Sequence, residues 1–179
     1  MSHPLPPAPA KLVIGVFLKE KNSLQGVVDG LCLEFGALDM LSPWFHFDYT
    51  DYYKAEMGGP LYRRMLVFRE LIDQDRLAAI KYTTTSLEAR FAAEGRRGVN
   101  IDPGYLLLER FVLATGKNYT HRIHIGQGIY ADLTLMYQKG DYQPLPWTYP
   151  DYAATDMRAF LSLTRRKYGT DISSAVQSQ

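Results

Sequence analysis

The sequence predicts an α+β fold: a mixed, mostly antiparallel sheet with helices packed mainly on one face, a ferredoxin-like (split βαβ) core extended by a C-terminal β-hairpin and helix. Three observations predict it. Segments read strand, helix, strand, strand, helix, strand from Leu12 to Ile101. The stretch behind Asp73 repeats apolar residues at helical spacing. Gly126-Gln127-Gly128 then separates two runs whose apolar and polar residues match in parity, the pattern of a hairpin.

Leu12-Val13-Ile14-Gly15-Val16-Phe17-Leu18 is a continuous apolar run, as in a central strand covered on both faces. Asn22 or Ser23 caps a helix carrying Leu24, Val27, Val28, Leu31 and Phe35, and Gly36 suits its left-handed C-terminal cap. Alternation from Trp44 gives a second strand running into Phe47-Asp48-Tyr49-Thr50-Asp51-Tyr52-Tyr53. Gly58-Gly59-Pro60 breaks the chain before a third strand over 62–71. Asp73 caps the clearest helix, with Leu77, Ile80, Thr84, Leu87 and Phe91 on one stripe and Gly95 at its end. A fourth strand covers 97–101, and Asp102-Pro103-Gly104-Tyr105 has the chemistry of a turn. Leu106-Leu107-Leu108 and Phe111-Val112-Leu113 are apolar under either period, so 105–115 fits a short helix or a strand, and it is assigned to a strand.

In the hairpin, Ile125 opposes Ile129 and Ile123 opposes Ala131 on an apolar face. His124 opposes Tyr130, Arg122 opposes Asp132 and Thr120 opposes Thr134 on a polar one. Lys139-Gly140-Asp141 turns the chain into 142–145, where Pro144 fits only an edge strand. Thr155 or Asp156 caps a last helix bearing Met157, Phe160, Leu161 and Tyr168. The organisation expected is a flexible Pro-rich arm (1–10), one domain (11–170) and a flexible tail (171–179).

Twenty basic against nineteen acidic residues leave a formal charge of +1, so no global field draws the chain to nucleic acid or anionic membranes. Cys32 is the single cysteine, which excludes an intramolecular disulfide and a multi-cysteine zinc site. The first ten residues carry Pro4, Pro6, Pro7 and Pro9 rather than a signal sequence, and no apolar run approaches the ~20 residues of a membrane span. A cytoplasmic, membrane-free protein is expected.

Asp, Arg, His and Tyr concentrated near glycines and prolines build polar pockets. His46 and Asp48, two apart on a strand, share a side and suit a shared divalent ion or proton transfer, although a half-exposed strand end with a hydrogen-bonded His is the commoner explanation of such a pair. Asp51 and Glu56 add oxygen ligands without matching any calcium loop, so no metal site is assigned. His121 and His124 fall on opposite strand faces and cannot share a metal. Arg122 oriented by Asp132, with His124 beside it, makes either a cross-strand pair or an anion clamp. Asn100 and Asp102 stand at a strand exit, where catalytic carboxylates are often kept. Lys117, Arg63 and Arg64 offer positive charge; Trp147, Tyr149 and Tyr152 offer a stacking floor or an edge cover. The resulting site set is Asp48, Asp102 and His124 for catalysis, with Arg122, Lys117, Asn100, Tyr130, Trp147 and Tyr149 for ligand binding.

The ordered run of Phe47-Asp48-Tyr49-Thr50-Asp51-Tyr52-Tyr53, Met57-Gly58-Gly59-Pro60-Leu61-Tyr62-Arg63-Arg64, Asn100-Ile101-Asp102-Pro103-Gly104-Tyr105, His121-Arg122-Ile123, Gly128-Ile129-Tyr130-Ala131 and Pro146-Trp147-Thr148-Tyr149-Pro150 resembles a family of small bacterial proteins catalogued as a domain of unknown function. The resemblance spans about residues 11–168 and implies no activity, though relatives often carry the automatic label GTP-binding protein. The residues do not support that label. There is no Gly-x-x-x-x-Gly-Lys-Ser/Thr loop, and the first strand ends in Lys19-Glu20-Lys21 rather than a glycine-rich turn.

Three functions fit this pattern. The favoured one is a pocket for a small anionic or phosphorylated ligand, with or without catalysis and with no cofactor named. The second is a protein-interaction module, which leaves a protein partner or a homo-oligomer open. Single-stranded RNA binding is disfavoured by the near-neutral charge and the missing Lys/Arg-Gly-aromatic signature.

Overall fold

The apolar run near the N-terminus forms β1 (Ala10–Leu18), and each of its residues is buried. In the computed structural model, which describes residues 3–47, 61–92 and 97–177, there follow α1 (Leu24–Phe35), β2 (Leu38–Leu41), β3 (Phe45–Phe47), β4 (Leu61–Ile72), α2 (Leu77–Arg90), β5 (Val99–Leu106), β6 (Arg110–Thr115), β7 (Arg122–Gly126), β8 (Ile129–Gln138), β9 (Asp141–Pro144), α3 (Pro150–Ala153) and α4 (Thr155–Gln177). The described strands make one sheet in the order β2-β4-β1-β5-β6-β8-β7, with β3 beside β4 and β9 beside β8. Every pairing is antiparallel. The fold is therefore α+β, and β1 lies between β4 and β5 while α1 and α2 form the two helical connections, an order that nothing in the split βαβ expectation opposes.

Two helical layers explain why β1 is buried throughout. Phe35 of α1 packs edge-on against Phe68 of β4 at 5.8 Å, and α1 meets α2 where a Cβ on Gly30 would stand 2.8 Å from Leu87. That is the expected helix-covered face. The opposite face carries Gly15, paired with Met65 and Asp102, and Phe17, paired with Arg63 and Asn100. Here α3 and α4 form a second layer: Tyr152 lies over Gly15 and Lys11 bonds Asp171. Each fully buried Leu, Ile, Val or Phe in these layers contributes roughly 1.5–3 kcal/mol.

Local chemistry departs from the sequence expectation at several points. Short 3-10 turns, Lys21–Ser23 and Gln74–Arg76, precede α1 and α2, and neither Ser23 nor Asp73 makes a side-chain cap. Gly36 does end α1, at φ 84°. Gly95, expected to end α2, is outside the described residues. Asp102-Pro103-Gly104-Tyr105 is not a turn but the middle of β5, paired with residues 12–15 of β1. Its turn-forming residues yield to the ladder on one side, and Pro103 fits because β6 offers it no partner on the other. The hairpin pairs Arg122 with Asp132, Ile123 with Ala131 and His124 with Tyr130 as expected, then shifts register so that Gly126 meets Ile129. Gln127 (φ 53°) and Gly128 (φ 71°) make the turn. Helix α4 runs to Gln177, into the stretch expected to be a tail.

Candidate functional site

The ladder between β5 and β6 lasts only from Leu106–Phe111 to Gly104–Leu113. Beyond Gly104, β5 stays with β1, and beyond Leu113, β6 stays with β8. The sheet splits there. A cleft of about 530 Å³ opens in the wedge and reaches from α2 through to α3.

One wall comes from β5 and α2. Asn100 donates from Nδ2 to Asp102 Oδ2 at 2.7 Å and accepts from Arg97 at 2.8 Å. Lys81 donates to the Ile101 carbonyl at 2.8 Å and stands 3.5 Å from Asp102 Oδ1. Glu88, also 3.9 Å from Lys81, accepts the Ile101 amide at 2.6 Å. Burial pushes the Glu88 carboxyl up, and Asp102 adds to this, against the opposing charges of Lys81 and Arg97 and the amide bond. It is a carboxyl whose ionisation burial disfavours, beside one that sits nearer solvent.

The facing wall comes from β6, β7, β8 and the loop before β7. Arg122 uses three N–H groups: Nε to Asp132 at 2.8 Å, one to the Lys117 carbonyl at 3.0 Å and one to the Tyr149 hydroxyl at 2.9 Å. Burial opposes its charge, yet Asp132 and Tyr149 outweigh this and the guanidinium pKa rises. Asp132 also faces His121 at 3.2 Å and takes the Thr134 hydroxyl at 3.4 Å. At the base, α3 brings in Asp151, paired with Arg63, and Tyr152, whose ring lies 4.0 Å from the same guanidinium.

Of the residues singled out by sequence, Asp102, Asn100, Arg122, Lys117 and Tyr149 line this one cleft. His124 and Tyr130 do not. They pair with each other at 5.3 Å two residues past Arg122 and Asp132, a step of about 6.8 Å along a strand that carries them to the hairpin end. Trp147 also stays outside, stacked on His121 at 5.0 Å with its indole N–H on the Leu133 carbonyl. Asp48, Asp51 and Glu56 lie outside the described residues, and His46 falls in β3. Sequence reasoning missed Lys81, Thr85 and Glu88. Their i, i+4, i+7 spacing on α2 was the available signal, a polar stripe beside the apolar one.

Fold and site together define an antiparallel α+β protein with a charged cleft at a split in its sheet. The chain belongs to the family described as Domain of unknown function (DUF4416), whose model matches residues 8–168. No curated protein and no solved structure matches it. Among the described residues, no group of three or more His, Cys, Asp or Glu could hold a metal ion, and no helix is long and apolar enough to cross a membrane.

Proposed function

We propose that the cleft binds a small anionic or phosphorylated ligand. The observation that carries this is the burial of Asn100, Glu88, Arg122 and Asp132 around one open cavity. Ionised and polar side chains are costly to remove from water, and their convergence on a cavity of ligand size is the usual mark of a binding site. Lys117 and Arg122 supply positive charge on one wall, and Asp132 holds the guanidinium in place before a ligand arrives. Asp102 faces them from the other wall, where it would accept a proton or hydrogen bond from the ligand.

Thermal unfolding against inorganic phosphate, sugar phosphates and nucleotides, each with magnesium and with chelator, tests this. A ligand at ~100 times its Kd adds about 2.7 kcal/mol of stability. The expected result is a rise with phosphorylated compounds that Lys117→Ala reduces. A flat panel overturns it.

A second proposal, a protein-interaction surface, has its own observation. Tyr119, His121 and Trp147 stack in a row at 6.1 and 5.0 Å beside the cleft mouth, with Tyr119 57% and Trp147 37% exposed. Aromatic residues of this kind dominate partner contacts. A flat ligand panel together with a partner lost in Tyr119→Ala would favour it.

A further inference from the structure

We infer that the non-anionic part of the ligand is polyhydroxylated, which makes the ligand class a sugar or polyol phosphate; this rests on the anionic-ligand proposal above. The two walls of the cleft differ in hydrogen-bonding character. A phosphate group presents mostly acceptor oxygens and negative charge, so it belongs with Lys117 and Arg122 rather than beside the Asp102 carboxylate, where Lys81 is already engaged with Asp102 and the Ile101 carbonyl. A hydroxyl donates one hydrogen bond and accepts others. It needs acceptors and donors side by side, and Asp102, Asn100 and Lys81 offer that mixture within one connected set of contacts of 2.7 and 3.5 Å.

The base of the cleft adds to it. Tyr152 lines the cavity and is 3% exposed, and its hydroxyl sits against the Arg63 guanidinium with no other hydrogen-bond partner among the described residues. Gly15 lies opposite Asp102 in the ladder. A Cβ there would crowd Met65 and the Tyr152 hydroxyl at 3.3 Å and stand 3.5 Å from Arg63, so the glycine is what lets these polar atoms sit against the sheet. With Arg63 as donor to its oxygen, the Tyr152 hydroxyl keeps its own proton to donate, and a ligand hydroxyl next to Asp102 would accept it. The cavity, about 530 Å³, also has far more room than an inorganic oxyanion occupies. The β5 wall therefore reads hydroxyls, and the β7 side holds the anion.

Calorimetric titration of the full chain with inorganic phosphate, free hexoses and pentoses, and their monophosphates separates the two statements. At least one sugar monophosphate should bind roughly tenfold or more tighter than inorganic phosphate, the factor expected from one or two additional net hydrogen bonds. Asp102→Asn and Tyr152→Phe should shrink that ratio without weakening the binding of inorganic phosphate, and Lys117→Ala should weaken both ligands together. If inorganic phosphate binds and no sugar phosphate binds tighter, the hydroxyl assignment is overturned while the anion site stands. If the ratio survives in Asp102→Asn and Tyr152→Phe, the β5 wall is not the reader. If no member of the panel binds, the anionic-ligand proposal itself fails.

Discussion

Gly104 and Val112 approach so closely that a Cβ on the glycine would lie 2.4 Å from the Val112 carbonyl oxygen. This contact sits at the last rung that β5 shares with β6, beside the point where the sheet divides. Only a residue without a side chain lets the strands meet there and then part. Gly104→Ala forces backbone apart rather than a flexible side chain, and overpacking of this kind costs about 1–3 kcal/mol. For a chain of this size, each kcal/mol lowers the unfolding temperature by about 2–4 °C. Thermal unfolding should show that loss, and an unchanged midpoint would mean that the strands do not meet this closely.

Arg122 and Asp132 are 3% and 4% exposed in their side chains and lie 2.8 Å apart. Breaking a buried pair by neutralising one member leaves the other charge uncompensated, which costs about 3–5 kcal/mol. Asp132→Asn should therefore destabilise by about 3 kcal/mol, because the amide keeps one acceptor but not the charge. Arg122→Lys should lose stability too, since an ammonium on a flexible stem cannot reproduce contacts with Asp132, Lys117 and Tyr149 in one plane. Urea unfolding measures both. A change below about 1 kcal/mol would place the pair with ordinary surface ion pairs.

Glu88 gives a pH prediction of definite sign. Burial raises its folded pKa above the unfolded value, so its favourable contribution is present below the unfolded pKa and is lost as pH rises through the folded one. Glu88→Gln keeps an acceptor for the Ile101 amide and removes the titration. The stability of the variant relative to the natural chain should accordingly increase from pH 4 towards neutrality. Urea unfolding across that range checks it, and a difference that stays constant or falls with pH would remove the buried-carboxyl account.

The sequence made the strands legible where one physical rule decided them. Burial on both faces required the unbroken apolar run of β1, and parity alone placed Arg122 against Asp132 and His124 against Tyr130. Local chemistry misled where a non-local ladder overruled it. Asp102-Pro103-Gly104 has every attribute of a turn, yet pairing with β1 extends it. The split between β5 and β6 has no local signal at all, since it arises because each strand keeps its other neighbour. This is why Asn100, Asp102, Lys117 and Arg122 could be named individually, whereas the polar stripe of Lys81 and Glu88 on α2 had nothing in the sequence to tie it to them. His124 shares the parity of Arg122 but not its position along the strand, a distinction that only the depth of the cleft makes.

Lys11 anchors the far end of the sheet and carries the last prediction. Its ammonium is fully buried, 2.7 Å from Asp39 in β2 and 2.6 Å from Asp171 in α4, and Lys167 stands 3.0 Å from Asp39. Burial disfavours charge on both carboxylates, but hydrogen bonds and attraction from Lys11 and Lys167 outweigh it and hold both pKa values below their ordinary range. A depressed folded pKa contributes stability that is complete above the unfolded value, about 3.9, and is lost as pH falls through the folded one. Lys11→Met preserves length and removes the buried cation. It should cost about 3–5 kcal/mol at pH 7 and flatten the loss of stability between about pH 4 and the acid limit. Because Asp171 lies in the stretch where sequence suggested a loose tail, amide exchange near the C-terminal end of α4 should also quicken in the variant. Unchanged exchange there, with the acid dependence intact, would mean that the contacts with Lys11 do not hold α4 against β1.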